Sequence, residues 1–180
     1  KKRKVDDDED VGAMLQAARE RGILEQDDTG DDGKEDADAS APGWAPYALH
    51  PVLKKAMVAL GFNTPTDVQA ATLPPSLGTD AMPPRDVVGV AQTGSGKTLA
   101  YALPILQYIL ENTAHSQDPA RSLEALVLTP TRELALQVCS HIRAVVEAGG
   151  RFANVAAICG GMSGQKQERG LLQHGGGHIV

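Results

Sequence analysis

The chain has 180 residues, room for one domain of ordinary size with a tail, and a formal net charge of −6. The charge is unevenly placed: residues 1–43 hold 7 Lys+Arg against 14 Asp+Glu, whereas residues 44–180 hold 10 against 9. A nearly neutral body gives no electrostatic sign of nucleic acid and does not exclude it, because a few placed cations can contact phosphates without moving the net charge; no apolar run approaches the roughly 18 residues that a membrane span needs.

Residues 1–43 read as a disordered acidic tail with a basic start, too poor in large apolar residues for burial to offset the entropy of ordering. The run Lys1-Lys2-Arg3-Lys4-Val5 fits either a nuclear-import signal or a solvated stretch of charge. No apolar segment follows it, as a secretory signal would require. The first residue is not Met, so the chain is expected to begin inside a longer polypeptide or after processing. Within the tail, Val11 to Leu24 has the apolar spacing of a short transient helix.

From Trp44 onward the pattern is that of a folded body. His50 to Leu60 has helical spacing and Gly61 as a stop. Thr66 to Leu73 is a second short helix, ended by Pro74-Pro75, and Thr79 to Arg85 is a loop. Asp86 to Val90 reads as an apolar strand, Gly94 to Gly96 as a turn, and Lys97 to Leu110 as a helix. Pro104 should kink that helix or sit near its first turn. Leu123 to Thr129 is the next strand, Arg132 to Ala148 an amphipathic helix, Val155 to Cys159 a strand, Gln165 to Gln173 a helix, and His178 to Val180 the start of a further strand. Such alternation predicts an α/β fold, a parallel sheet flanked by helices. Cys139 and Cys159 lack metal-ligand spacing and are expected to be reduced, buried thiols.

Ala91-Gln92-Thr93-Gly94-Ser95-Gly96-Lys97-Thr98 stands between a predicted strand and a predicted helix, the setting a phosphate-binding loop requires. Gly94 and Gly96 allow positive φ and close backbone approach. Successive N–H groups then form an anion nest, reinforced by the positive end of the helix dipole. Lys97 can reach terminal phosphates, and the Thr98 hydroxyl can ligate Mg²⁺. Ala91 departs from the general motif, which has Gly there.

Upstream lies Gly61-Phe62-Asn63-Thr64-Pro65-Thr66-Asp67-Val68-Gln69, a helix end, a turn and a new helix start with Thr66 as N-cap. An amide has one donor side and one acceptor side, which match adenine N7 and N6 but not guanine, whose two groups there both accept. An aromatic ring can stack on the base. Spacing alone favours a buried Phe62 and a surface Gln69.

The same segment resembles the Q motif of DEAD-box helicases, and the turn after it is similar to their motif I. Trp44, 17 residues before Gly61, stands where that family carries an isolated aromatic, usually Phe. Pro130-Thr131-Arg132-Glu133-Leu134-Ala135 resembles motif Ia, and Gly160-Gly161 the GG element. The resemblance covers residues 44–180 and implies the amino-terminal part of an incomplete RecA-like domain, ending before the Asp-Glu-Ala-Asp element. It implies ATP and Mg²⁺ as cofactors. Phe62, Thr66 and Gln69 would lie on the adenine side, and Thr93, Gly94, Ser95, Gly96, Lys97 and Thr98 on the phosphates, with Thr98 toward the metal. Pro130, Thr131, Arg132, Gly160 and Gly161 would touch RNA. It assigns no catalytic residue within the chain and implies that the chain alone does not hydrolyse ATP. Trp44, the Thr79–Pro84 insertion and the stretch from Asp86 to Tyr101 look like the nucleolar members that act in large ribosomal subunit assembly, which implies pre-ribosomal particles as partners and a nuclear, nucleolar location. Another P-loop ATPase or a small-molecule kinase would explain the phosphate turn but not Gln69, Arg132 and Gly160 in this order. A third reading is a non-enzymatic nucleotide-binding module with the acidic tail as an interaction arm.

Overall fold

The computed structural model describes residues 16, 41–79, 81–112, 123–161, 164, 165, 167 and 178–180. Four helices carry the body: α1 (Pro51–Ala59), α2 (Asp67–Leu77), α3 (Lys97–Asn112) and α4 (Arg132–Ala148). Of the expected tail helix only Gln16 is described, and it is helical; the remainder lies outside the described residues, as does most of the helix expected over 165–173.

Local chemistry sets the helix starts. Pro51 occupies the first turn of α1, where a missing N–H costs nothing, and His50 Nδ1 accepts from the Val52 amide at 3.2 Å. The His50 N–H donates to Gln107 Oε1 at 2.6 Å, which ties the head of α1 to α3. Thr131 caps α4, its hydroxyl accepting from the Leu134 amide at 3.2 Å.

One proline expectation is corrected. Pro74 and Pro75 do not end α2, which continues to Leu77 and stops at Gly78. Proline φ is already helical and its ring harms only the turn before it. Residues 74–77 therefore form one more turn, closed by the Gly78 amide on the Pro74 carbonyl at 3.0 Å. Pro104 lies inside α3, beyond its first turn.

Apolar faces of the four helices meet in one core. Leu53 and Met57 of α1, Leu73 of α2, Leu103, Leu106 and Ile109 of α3, and Ile142 of α4 are essentially inaccessible. Each such side chain contributes about 1.5–3 kcal/mol relative to exposure. Ala41 and Trp44 are also fully buried in this core. Cys139 and Cys159 are buried and are not joined in a disulfide.

The parallel sheet is present in reduced form, as isolated bridges. Ile179 pairs in parallel with Ala125 on one side and with Val155 on the other, so 178–180 lies between 123–128 and 154–158. The Val127 amide donates to the Val180 carbonyl at 2.7 Å, and the Ala156 amide to the Ile179 carbonyl at 2.9 Å. The expected strand over Asp86–Val90 makes no bridge among the described residues, and Val88 and Val90 are 94% and 96% exposed. A strand exists through its ladder; an apolar run alone does not make one. The loop over Thr79–Arg85 closes by an antiparallel bridge between Thr79 and Met82. Among the described residues no helix is long and apolar enough to cross a membrane.

Candidate nucleotide site and RNA-facing loops

The phosphate loop runs from the exposed segment 86–90 into α3. Gly94 and Gly96 have φ of 80° and 88°, values that an L side chain resists. They are required for different reasons. A Cβ at Gly94 would meet nothing within 4 Å, so only the backbone conformation demands glycine there. A Cβ at Gly96 would lie 2.6 Å from Gln69 Nε2 and 2.9 Å from Thr66 Oγ1. Gly96 is therefore where the expected adenine segment and the phosphate loop touch.

Gln69 makes that junction. Its Oε1 accepts from the Thr66 amide at 3.0 Å, and its Nε2 donates to the Gly96 carbonyl at 3.0 Å. The side chain is 3% exposed, which corrects the surface position that spacing alone favours. Burial follows from the two bonds: an amide whose ends are both satisfied by backbone can leave water without a large penalty. One lone pair and one N–H remain on the amide, the minimum a base edge needs. Phe62 is half-buried against the core, and its carbonyl accepts from Trp44 Nε1 at 2.6 Å.

Lys97 folds back on its own loop. Its Nζ donates to the Ala91 carbonyl at 2.7 Å and the Gln92 carbonyl at 2.5 Å. Ser95 Oγ is buried without a hydrogen-bond partner among the described residues. The open space at Gly94, the orphaned Ser95 hydroxyl and an ammonium within reach suit an anionic, oxygen-rich group. Burial pushes the Tyr101 phenol above its ordinary range, while a hydrogen bond with the Thr98 side chain pulls the other way. Thr98 stands in the first turn of α3, beside the phosphate loop. The residues present fit a nucleoside triphosphate with Mg²⁺.

The second group of residues lies at the start of α4 and just after the 154–158 segment. Pro130, Thr131, Arg132, Gly160 and Gly161 are all exposed. A Cβ at Gly161 would lie 3.4 Å from Arg132 Nη1, so the two loops meet. Arg132 begins α4, the end where a cation opposes the helix dipole. A cation held there raises positive potential rather than helix stability, as an anion-binding role requires. Sequence reasoning missed Gln167, whose amide accepts from the Cys159 N–H and donates to the Cys159 carbonyl, both at 3.0 Å. This pair of bonds fixes the residue before Gly160. It also missed Arg143, whose Nε and Nη2 both donate to the Val155 carbonyl, at 3.0 and 2.8 Å. Neither side chain carries a spacing signal.

The chain is 44% identical over 144 residues to the ATP-dependent RNA helicase mak5 of Aspergillus oryzae, covering 77% of this chain and 18% of that protein. It is 42% identical over 139 residues to DEAD-box ATP-dependent RNA helicase 13 of Oryza sativa subsp. japonica, covering 70% and 16%. The chain thus spans less than a fifth of these relatives' length. Among solved structures, the yeast DEAD-box splicing factor Prp28 superposes with a TM-score of 0.64 at 30% identity over 73% of this chain and 30% of that one. A hypothetical ATP-dependent RNA helicase from Sulfolobus tokodaii gives 0.57 at 35% identity, over 73% and 33%. The likeness supports an incomplete RecA-like fold. The family profile described as DEAD/DEAH box helicase matches residues 66–180, and this chain belongs to that family.

Proposed function

We propose that these residues form the ATP-binding part of an ATP-dependent RNA helicase that unwinds or remodels RNA, acting on pre-ribosomal particles in the nucleus, chiefly the nucleolus. The observation that carries the nucleotide half is the bond from Gln69 Nε2 to the Gly96 carbonyl, which joins a base-reading amide to a phosphate loop. Phe62, Thr66 and Gln69 hold the adenine side, and Thr93 to Thr98 hold the phosphates. Lys97 leaves the carbonyls of Ala91 and Gln92 and turns to the terminal phosphates. Thr98 presents its hydroxyl to Mg²⁺, which when bound neutralises phosphate charge. Pro130, Thr131, Arg132, Gly160 and Gly161 contact the RNA backbone. The ribosomal assignment rests on the likeness to mak5 proteins and on Trp44 and the 79–84 loop.

Lys97→Ala tests the site. It should weaken ATP by roughly tenfold or more, the scale of a lost charged hydrogen bond, and leave RNA binding without nucleotide unchanged. Equal ATP affinity in parent and variant would remove Lys97 from the phosphate site and with it this reading. RNA binding is checked separately by Arg132→Ala, which should lower RNA affinity and flatten its salt dependence.

A further inference from the structure

The segment 154–158 is paired with 178–180 as far as Ala156, whose amide donates to the Ile179 carbonyl at 2.9 Å. Beyond it the chain runs to Cys159, which is buried, and then to the exposed Gly160 and Gly161. Among the described residues no backbone group pairs with Cys159. The Gln167 side chain takes that place: its Oε1 accepts from the Cys159 N–H and its Nε2 donates to the Cys159 carbonyl, both at 3.0 Å. A primary amide offers a donor and an acceptor as a peptide group does, so the two bonds reproduce one rung of a ladder. The Cys159 carbonyl belongs to the peptide unit that also bears the Gly160 N–H. That unit is trans, so holding the carbonyl on Gln167 aims the Gly160 N–H the opposite way. This N–H makes no hydrogen bond among the described residues, and a Cβ at Gly160 would meet nothing within 4 Å. Beside it, Arg132 Nη1 lies 3.4 Å from where a Cβ of Gly161 would stand.

We propose that Gln167 is a positioning residue for RNA, fixing the Cys159–Gly160 peptide so that the Gly160 N–H meets a backbone phosphate beside the Arg132 guanidinium. The inference rests on the assignment of Gly160, Gly161 and Arg132 to RNA. A neutral N–H binds an anion well only when its direction is set beforehand; one that is ordered on binding loses part of the contact to entropy. Two glycines in succession raise that cost, because no Cβ restricts either backbone. Gln167 supplies the restraint from outside the turn, and its amide adds no charge that would oppose a phosphate.

The experiment measures equilibrium binding of a labelled single-stranded oligouridylate and, separately, of Mg·ADP to the full chain, Gln167→Ala, Gln167→Glu and Arg132→Ala. Gln167→Ala should weaken RNA by about tenfold, the scale of one hydrogen bond to a charged group, and leave ADP within about twofold, as a distant site should. Gln167→Glu separates the pair of bonds from charge. Its carboxylate has no donor for the Cys159 carbonyl, whereas the protonated acid has one donor and one acceptor, as the amide does. Measured against the parent at each pH, its RNA affinity should be low near pH ~8 and recover toward pH ~5 as the acid form gains population. Relief of charge alone would stop at the Gln167→Ala level; recovery beyond that level requires the restored pair. Parent-like RNA affinity in Gln167→Ala, parallel loss of RNA and ADP, or a recovery of Gln167→Glu that halts at the Gln167→Ala level overturns the proposal. If Arg132→Ala still weakens RNA alone, the RNA assignment survives that failure. If the parent binds no RNA, or neither Arg132→Ala nor Gln167→Ala changes its affinity, the assignment falls and takes the role of Gln167 with it.

Discussion

Gln69 has one amide and three duties: it caps α2 through the Thr66 amide, it ties α2 to the Gly96 carbonyl, and it is proposed to read a base. The first is a local capping contact over three residues; the second was not legible from spacing, because it joins a helix start to a loop 27 residues away. They change what its removal should do. Gln69→Ala loosens the junction for every nucleotide and removes base discrimination besides. Both ATP and GTP should weaken, ATP further, so that the ratio of their affinities falls by roughly five- to 150-fold, from the 1–3 kcal/mol of a bidentate base contact. Competition binding with the two nucleotides measures this. A parallel loss would leave Gln69 as a scaffold residue only. The glycines of the loop, by contrast, were readable in the sequence, since positive φ at a turn after an apolar run is a local requirement.

At the scale of elements, helices were the legible part. The apolar spacing of His50–Leu60, Lys97–Leu110 and Arg132–Ala148 is local, and α1, α3 and α4 appear within a residue or two of those bounds. The end of α2 was misplaced because the two prolines read as a stop, although they act only on the turn before them. Strands were less legible, since an extended run becomes a strand only through a partner distant in sequence. Arg143 illustrates a device that spacing cannot show. The 154–158 segment turns the Asn154 carbonyl and the Ala156 amide toward 178–180, which leaves the Val155 carbonyl on the opposite edge. The Arg143 guanidinium covers it with two donors, and a charged group on a strand edge discourages pairing with another chain. Arg143→Leu should lower stability by about 1.5–3 kcal/mol, the range for a hydrogen bond to a charged group. It should also raise light scattering in the folded baseline. A variant that unfolds in urea as the parent does and scatters no more would remove the edge-guarding role.

On the scale of the molecule, the candidate nucleotide site is accompanied by several large apolar side chains open to water. Val88, Val90 and Leu128 are 94%, 96% and 85% exposed, and an open groove of about 360 Å³ runs between α4 and the extended segments beside Leu126, Leu128 and Ile158. Exposed apolar area on this scale favours association. Turnover of ATP also needs a carboxylate to hold the metal ion and a group to orient water, and the sequence contains no Asp-Glu-Ala-Asp run. We therefore expect that a polypeptide of these 180 residues releases no more phosphate from ATP with RNA than without it. Repeated turnovers that disappear on Lys97→Ala would contradict this, and would mean that an acidic residue within the chain holds the metal ion.

The segment 86–90 leads straight into the phosphate loop, and Lys97 is hooked to the two carbonyls that follow it, those of Ala91 and Gln92. Anything that gives 86–90 a ladder acts on the carbonyls to which Lys97 would lose its bonds on turning to phosphate, as proposed above. Strand pairing and phosphate binding then act as two ligands of one loop. By thermodynamic reciprocity, each changes the other's affinity by the same factor. A neighbour pairing along Val88 would be felt at the nucleotide without touching it, and a bound nucleotide would change that neighbour's affinity by the same factor.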